Sequence, residues 1–299
     1  MNKVVTPSEL YELTPWQESW LRLRSNRVAA AALLLLLAMV FCAVLAPFIV
    51  SHDPHEQYTS VLLSPPFWVE GSHPDFILGT DDLGRDMFSR LVYGARYSLF
   101  LGLAIVLIAL FSGVLIGALA GMKRGLIETV ILRLMDIMLA IPAILLAIVI
   151  VAILGASLIN AAIAVSIVLL PHFVRITRAA VITELNKDYV LASQLDGSKG
   201  SKLFFKTLLP NISSPLIVQT TLSFSNAILD IAALGFLGLG AQPPTPEWGT
   251  LLSTSREFIE LAPWTVTLPG LAILVTVLAS NLLGDGLRDA LDPRIETGS

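Results

Sequence analysis

Apolar residues in this chain fall in long unbroken runs, without the alternation of a half-buried strand or the three-to-four spacing of a surface helix. The first, "VAAAALLLLLAMVFCAVLAPFIV" from Val28 to Val50, is about 23 residues, and a helix needs about 20 to cross a bilayer. Five more follow near Ser98–Gly121, Val130–Ile153, Ser157–Val174, Leu216–Leu239 and Thr265–Leu283. The fourth of the six is interrupted by Pro171 and His172 before Arg175. A proline in a spanning helix is tolerated where neighbours satisfy the freed backbone groups. The pattern predicts an all-α integral membrane protein with six transmembrane helices.

The polar lead ahead of the first run extends to Arg27. A signal-peptide core is about 7–15 residues, so the longer run here predicts an uncleaved anchor. The layout expected is a cytoplasmic segment over 1–27, a first span over 28–50 and a periplasmic loop over 51–97. Five further helices occupy 99–288, and a cytoplasmic tail runs over 289–299.

Composition supports an apolar solvent. Of 299 residues, 55% are hydrophobic and 14% charged, against about 25% charged in soluble domains. A net charge of −4 argues against nucleic acid as a partner. Cys42 is the single cysteine, so no internal disulfide or thiolate metal cluster is available, and its apolar run makes it a small hydrophobe. With the N-terminus inside, only Arg85, Arg90, Arg96 and Arg256 of the 19 basic residues fall outside. That asymmetry satisfies the positive-inside rule and places both termini in the cytoplasm.

Within the runs, Gly113, Gly117 and Gly121 recur on one helix face, a spacing that lets backbones approach closely in lipid. Gly235, Gly238 and Gly240 lack that spacing and are expected to loosen the outer end of the fifth span, where "QPPTPEWG" imposes an extended turn. Asp230, one turn after Asn226, is an intramembrane carboxylate; it either lines a translocation path or bonds a neighbouring helix or subunit. Asp136 is expected to pair locally with Arg133, and Asn160 and Asn281 to bond between helices. No HExxH, Cys/His cluster or G-x-S-x-G elbow occurs. His52, His55 and His73 lie in the outer loop and His172 at a helix kink, so no metal or catalytic site is expected. "DDLGRD" lacks the order of a calcium loop; Arg85 and Asp86 are expected in local ion pairs of a structured loop.

One soluble-looking stretch stands between hydrophobic ones: "KDYVLASQLDGSKGSKLFFKTLLP", Lys187 to Pro210. Asp188 is expected to cap a short helix through Leu195. Gly197 supplies the left-handed residue that ends it, and a second helix from about Lys199 to Leu208 is stopped by Pro210. Leu191, Ala192 and Leu195 form a small apolar face with Asp196, Lys199 and Lys202 beside it. The segment is expected to project into the cytoplasm.

This segment resembles the EAA loop of ABC importer permeases: Glu-Ala-Ala, three residues, Gly, nine residues, Ile, one residue, Leu-Pro. Leu191, Ala192 and Ser193 stand at the Glu-Ala-Ala positions, Gly197 at the glycine, Thr207 at the isoleucine, and Leu209 and Pro210 at the close. Leu191 replaces Glu, which would have completed a capping box, and Ser193 replaces Ala. Stretches over Leu78–Gly102, Met135–Pro142, Leu170–Val181, Asn226–Gly249 and Asn281–Arg294 resemble the C-type permease subunit of dipeptide and oligopeptide ABC importers. The resemblance implies a type I ABC importer permease fold, with a permease domain over 99–288 and an ATPase-coupling loop over about 183–213 that includes Asp188 and Tyr189. It implies a homologous B-type permease, two cytoplasmic ATPase subunits carrying ATP and Mg, a periplasmic peptide-binding protein and a bacterial inner membrane.

"GSKGSK" at Gly197–Lys202 lacks the Walker A spacing that cradles phosphates, so no cofactor is expected in this chain, which is not itself an enzyme. A self-sufficient secondary transporter would show an internal repeat and broken helices around midplane charges. A membrane-embedded enzyme would need more than Asp230. Dipeptides are the favoured cargo of the resemblance, with longer peptides, nickel chelates and haem as alternatives.

Overall fold

The structure, a computed structural model, describes residues 15–291; the segment before residue 15 and residues 292–299 of the expected tail lie outside the described residues. Helix α1 (Pro15–Ser25) is polar, and α2 (Arg27–Val44) begins the first apolar run after a one-residue break at Asn26. Asn26 Oδ1 accepts from the Val28 and Ala29 amides, which would otherwise go unsatisfied at the helix start. A loop over 51–86 leads to α3 (Met87–Met122), followed by α4 (Leu126–Ala140), α5 (Ala143–Leu154) and α6 (Leu158–Leu185). Beyond a hairpin over 188–211 come α8 (Ser213–Phe236), a short α9 (Trp248–Ser255) and α10 (Trp264–Leu291); α7 is the hairpin's first arm, Asp188–Leu195.

Among the described residues five helices, α2, α3, α6, α8 and α10, are long and apolar enough to cross a membrane; α4 and α5 together are also long and apolar enough, but meet at a bend of 96°, the geometry of a broken span or a re-entrant loop. The apolar run from Val130 to Ile153 is therefore not one straight helix. Pro142 has no amide hydrogen and disfavours a helical residue before it; Ile141 accordingly adopts φ −93°, ψ 132° and the helix restarts after the turn. Two ion pairs staple α4 to α6: Arg178 Nε donates to Glu128 at 2.8 Å, and Arg175 pairs with Asp136. Asp136 thus pairs across helices and not with Arg133, because the α4 face carrying it is turned toward α6.

The central packing is α3 against α6. Cβ atoms added at Gly113, Gly117 and Gly121 would lie 2.4 Å from Phe173 Cβ, 2.5 Å from the Val174 carbonyl and 2.8 Å from Val181. Only hydrogen fits there. Asn160 bridges α5 and α6 through Nδ2, donating to the Leu154 and Gly155 carbonyls at 2.9 Å each. Pro171 lies inside α6 without ending it, as expected for a spanning helix with close neighbours.

At the end of the bundle opposite the hairpin, loop 51–86 is tightly built. Asp81 is buried and accepts from the Leu83 and Arg85 amides and from Arg85 Nε at 2.7 Å. Arg85 therefore pairs with Asp81, while Asp86 caps α3 through the Phe88 and Ser89 amides. Asp86 is also 3.7 Å from His52 Nδ1. Trp264 Nε1 donates to the Thr80 carbonyl, tying the loop to the start of α10.

Candidate functional site

The hairpin over 188–211 is the most conspicuous departure from the bundle. Asp188 is the first helical residue of α7 and Lys187 its cap, with no side-chain capping bond, so the expected Asp188 cap is displaced by one position. The acid that organises this end is Glu184, the buried penultimate residue of α6. It accepts from Lys187 Nζ at 3.0 Å and from the Tyr189 hydroxyl. Burial, then the Glu184 hydrogen bond and charge, push the Tyr189 phenol well above its ordinary value.

Gly197 has φ +88°, the left-handed conformation that favours glycine. Around it Ser198 N donates to Ser193 O and Gly197 N to Gln194 O, both at 3.0 Å, a Schellman closure. The second arm runs over Gly200–Leu203, a π-helical turn at Phe204–Leu208 and Leu209–Asn211. Pro210 does not stop this arm: it sits within its last turn, where the wider π turn accommodates a residue lacking an amide hydrogen. Two departures from the motif meet here, since Ser193 Oγ and Thr207 Oγ1 lie 3.1 Å apart and cross-link the arms. Neither pairing nor π turn is readable from spacing alone.

The hairpin has two faces of opposite character. Inward, Val190, Leu203, Phe204, Leu208 and Ile212 are buried in one core with Val114 and Ala118 of α3, Val181 of α6 and Leu216 of α8. Outward, Leu191 is 55%, Leu195 82% and Phe205 55% exposed. Large apolar side chains raised on a polar element mark an interaction surface; Ala192 and Asp196 are exposed beside it, whereas Leu209 is half-buried against the inward core.

A second candidate feature follows α8. Asn226 is exposed and Asp230 half-buried, and neither has a hydrogen-bond or ion-pair partner among the described residues. At the hairpin end α8 opens into a cavity of about 310 Å³, lined by Ser214, Pro215, Val218, Gln219 and Leu222 with Ile176, Arg288 and Leu291. A polar stripe on a spanning helix is costly against lipid, so its neighbour is water or protein.

At the other end α9 enters the bundle between α3, α8 and α10. Glu247, 1% exposed, caps it: the Thr250 amide donates at 2.9 Å and Ser98 Oγ from α3 at 3.1 Å. Burial pushes the Glu247 carboxyl up, against hydrogen bonds from Gly249, Thr250 and Ser98 that pull it down. Gly235 is a close-approach residue here and does not loosen α8, since a Cβ would lie 2.6 Å from Glu247 Oε2. Gly238, with φ +75°, is the residue that turns the chain.

Long apolar helices, a bent helix pair, a short inserted helix at one end and an apolar-faced hairpin at the other define a polytopic membrane protein with an exposed apolar surface outside its spans. The chain belongs to the family of binding-protein-dependent transport system inner membrane components, whose model matches residues 113–297. The N-terminal TM domain of oligopeptide transport permease C matches residues 14–66. The di/tripeptide transport system permease protein DppC of Pseudomonas aeruginosa is 57% identical, over 98% of this chain and 96% of that protein. The dipeptide transport system permease protein DppC of Escherichia coli is 53% identical over 99% and 98%. The peptide transport system permease protein SapC of Haemophilus influenzae is 39% identical over 97% and 98%. Among solved structures, a chain of the MetNI methionine ABC transporter in an inward-facing conformation superposes with a TM-score of 0.56 at 18% identity, covering 69% of this chain and 98% of that one. The fold is that of an ABC importer permease.

Proposed function

We propose that this chain is one permease subunit of an ATP-driven importer of dipeptides and short peptides, forming half of a pore. A homologous B-type permease supplies the other half, two cytoplasmic ATPase subunits bind ATP and Mg, and a periplasmic binding protein delivers the peptide. Both termini and the hairpin over about 183–213 are cytoplasmic, in keeping with the charge asymmetry. The observation that carries this reading is the two-faced hairpin: Leu191, Leu195 and Phe205 stand exposed while Val190, Phe204 and Leu208 are locked into the spans. Such an element docks on the ATPases and passes their movement to α6 and α8. Dipeptides are favoured as cargo because the relatives named for di/tripeptide and dipeptide transport are 57% and 53% identical and the broader peptide permease 39%. Asn226 and Asp230 then lie on the path or against the partner permease.

The test is to express the tagged chain with its neighbouring genes and purify it in mild detergent. Copurifying permease and ATPases with vanadate-sensitive hydrolysis and peptide uptake in proteoliposomes is expected. A chain that came out alone and still transported would overturn the reading. Gly197→Val, which forces a β-branched residue into left-handed backbone, is expected to leave ATP hydrolysis running while uptake collapses; Gly197→Ala is milder. Uptake unchanged in Gly197→Val would remove the hairpin from the coupling mechanism.

A further inference from the structure

Helix α1 belongs to none of the features above. It is 11 residues, about 16 Å at 1.5 Å per residue, too short and too polar to enter the bilayer. Its C-terminal end is held near the bilayer surface, because only Asn26, at φ −78° and ψ 100°, separates it from the span α2. Leu23, 5% exposed, packs beside Gly286 of α10, whose close neighbour is Ala29 of α2. The outward arc carries Trp20 at 51% and Leu21 at 38% exposure with Arg24, also exposed. At 100° per residue these three share an arc of about 100°. Arg22 pairs with Glu18, whereas Arg24 and Arg27 are exposed and pair with no carboxylate among the described residues.

We infer that α1 lies in the headgroup layer of the leaflet at the hairpin end, with Trp20 and Leu21 at the acyl boundary and Arg24 and Arg27 on the phosphates of anionic lipids. Tryptophan is enriched at this depth because its ring is apolar with one polar edge. Arginine buries its stem and keeps its guanidinium among headgroups. Continuity with α2 and the surplus of cations select a lipid surface over a protein as the occupant. Each basic residue near an anionic surface strengthens binding about fivefold, so the pair gives a preference for anionic over zwitterionic lipid.

The test uses the full chain in nanodiscs containing brominated phosphatidylcholine or brominated phosphatidylglycerol. The fluorescence difference between wild type and Trp20→Phe isolates this tryptophan from the others. That difference is expected to be quenched, more by bromines near the headgroup than by bromines deeper in the chain, and more by the glycerol lipid. Arg24→Gln with Arg27→Gln is expected to lower the lipid preference about 25-fold, and Arg24→Lys with Arg27→Lys to restore it. An unquenched Trp20 signal would mean that α1 faces water or protein and overturns the inference. Quenching with an unchanged lipid preference in the glutamine variant overturns the headgroup assignment.

Discussion

Glu247 shows how much one buried residue organises. It joins α9 to α3 through Ser98 and closes the first turn of α9 through Thr250. Losing an N-cap costs about 0.5–2 kcal/mol, and Glu247→Ala also removes the acceptor of the buried Ser98 hydroxyl, which keeps only the Trp248 amide as partner. The purified chain is expected to melt at lower temperature in Glu247→Ala, with Glu247→Gln in between because its amide oxygen still accepts. The folded carboxyl holds its proton to higher pH than the unfolded one. Stability therefore falls as pH rises above the ordinary glutamate range of about 4.3. Melting curves across that window should show the slope in wild type and its absence in Glu247→Gln. Nothing in the sequence singled Glu247 out, since "PEWG" reads only as the end of a turn. Gly197 was legible because a left-handed residue after a short helix leaves a local signature. Glu184 was not, because a carboxylate near a helix end usually faces solvent.

At the scale of elements, the glycine face of α3 was legible and its partner was not. Three glycines four apart announce a close approach, but only packing identifies α6 as the helix that arrives. Gly117→Val would drive methyl groups into the Val174 carbonyl, where a single Cβ already comes to 2.5 Å. Little folded protein is expected from that variant by size-exclusion chromatography, and wild-type yield would mean that α3 and α6 can separate without loss. The bend between α4 and α5 was written in "AIP", but the apolar run continues on both sides and hides it. Helix α9 escaped notice for the opposite reason: eight residues with threonine and serine carry no span-like pattern, and their burial comes entirely from neighbours.

For the molecule as a whole, the long apolar helices were readable because lipid satisfies no backbone polar group and so demands them, whereas the bend that splits the third run was not. What the α8 stripe faces, whether water, lipid or a second chain, is not carried by one sequence. A cysteine at Asn226, in a Cys42→Ala background because Cys42 is exposed, is expected to react readily with a water-soluble maleimide in the isolated chain. Full protection in the assembled transporter would assign the stripe to the partner permease. Reactivity that follows the nucleotide state would assign it to the path, and reactivity only toward lipid-soluble reagents would exclude both.

The shared core beneath the hairpin has a mechanical consequence. Close-packed interiors are nearly incompressible, and Val190, Phe204 and Leu208 are seated in the same packing as Val114, Val181 and Leu216. The Ser193–Thr207 contact braces the two arms against splaying. The joint between hairpin and bundle therefore has little compliance, and a push on Leu195 is not absorbed by bending. On the proposed function, such a push would reach α3, α6 and α8 together through the packing they share with the hairpin.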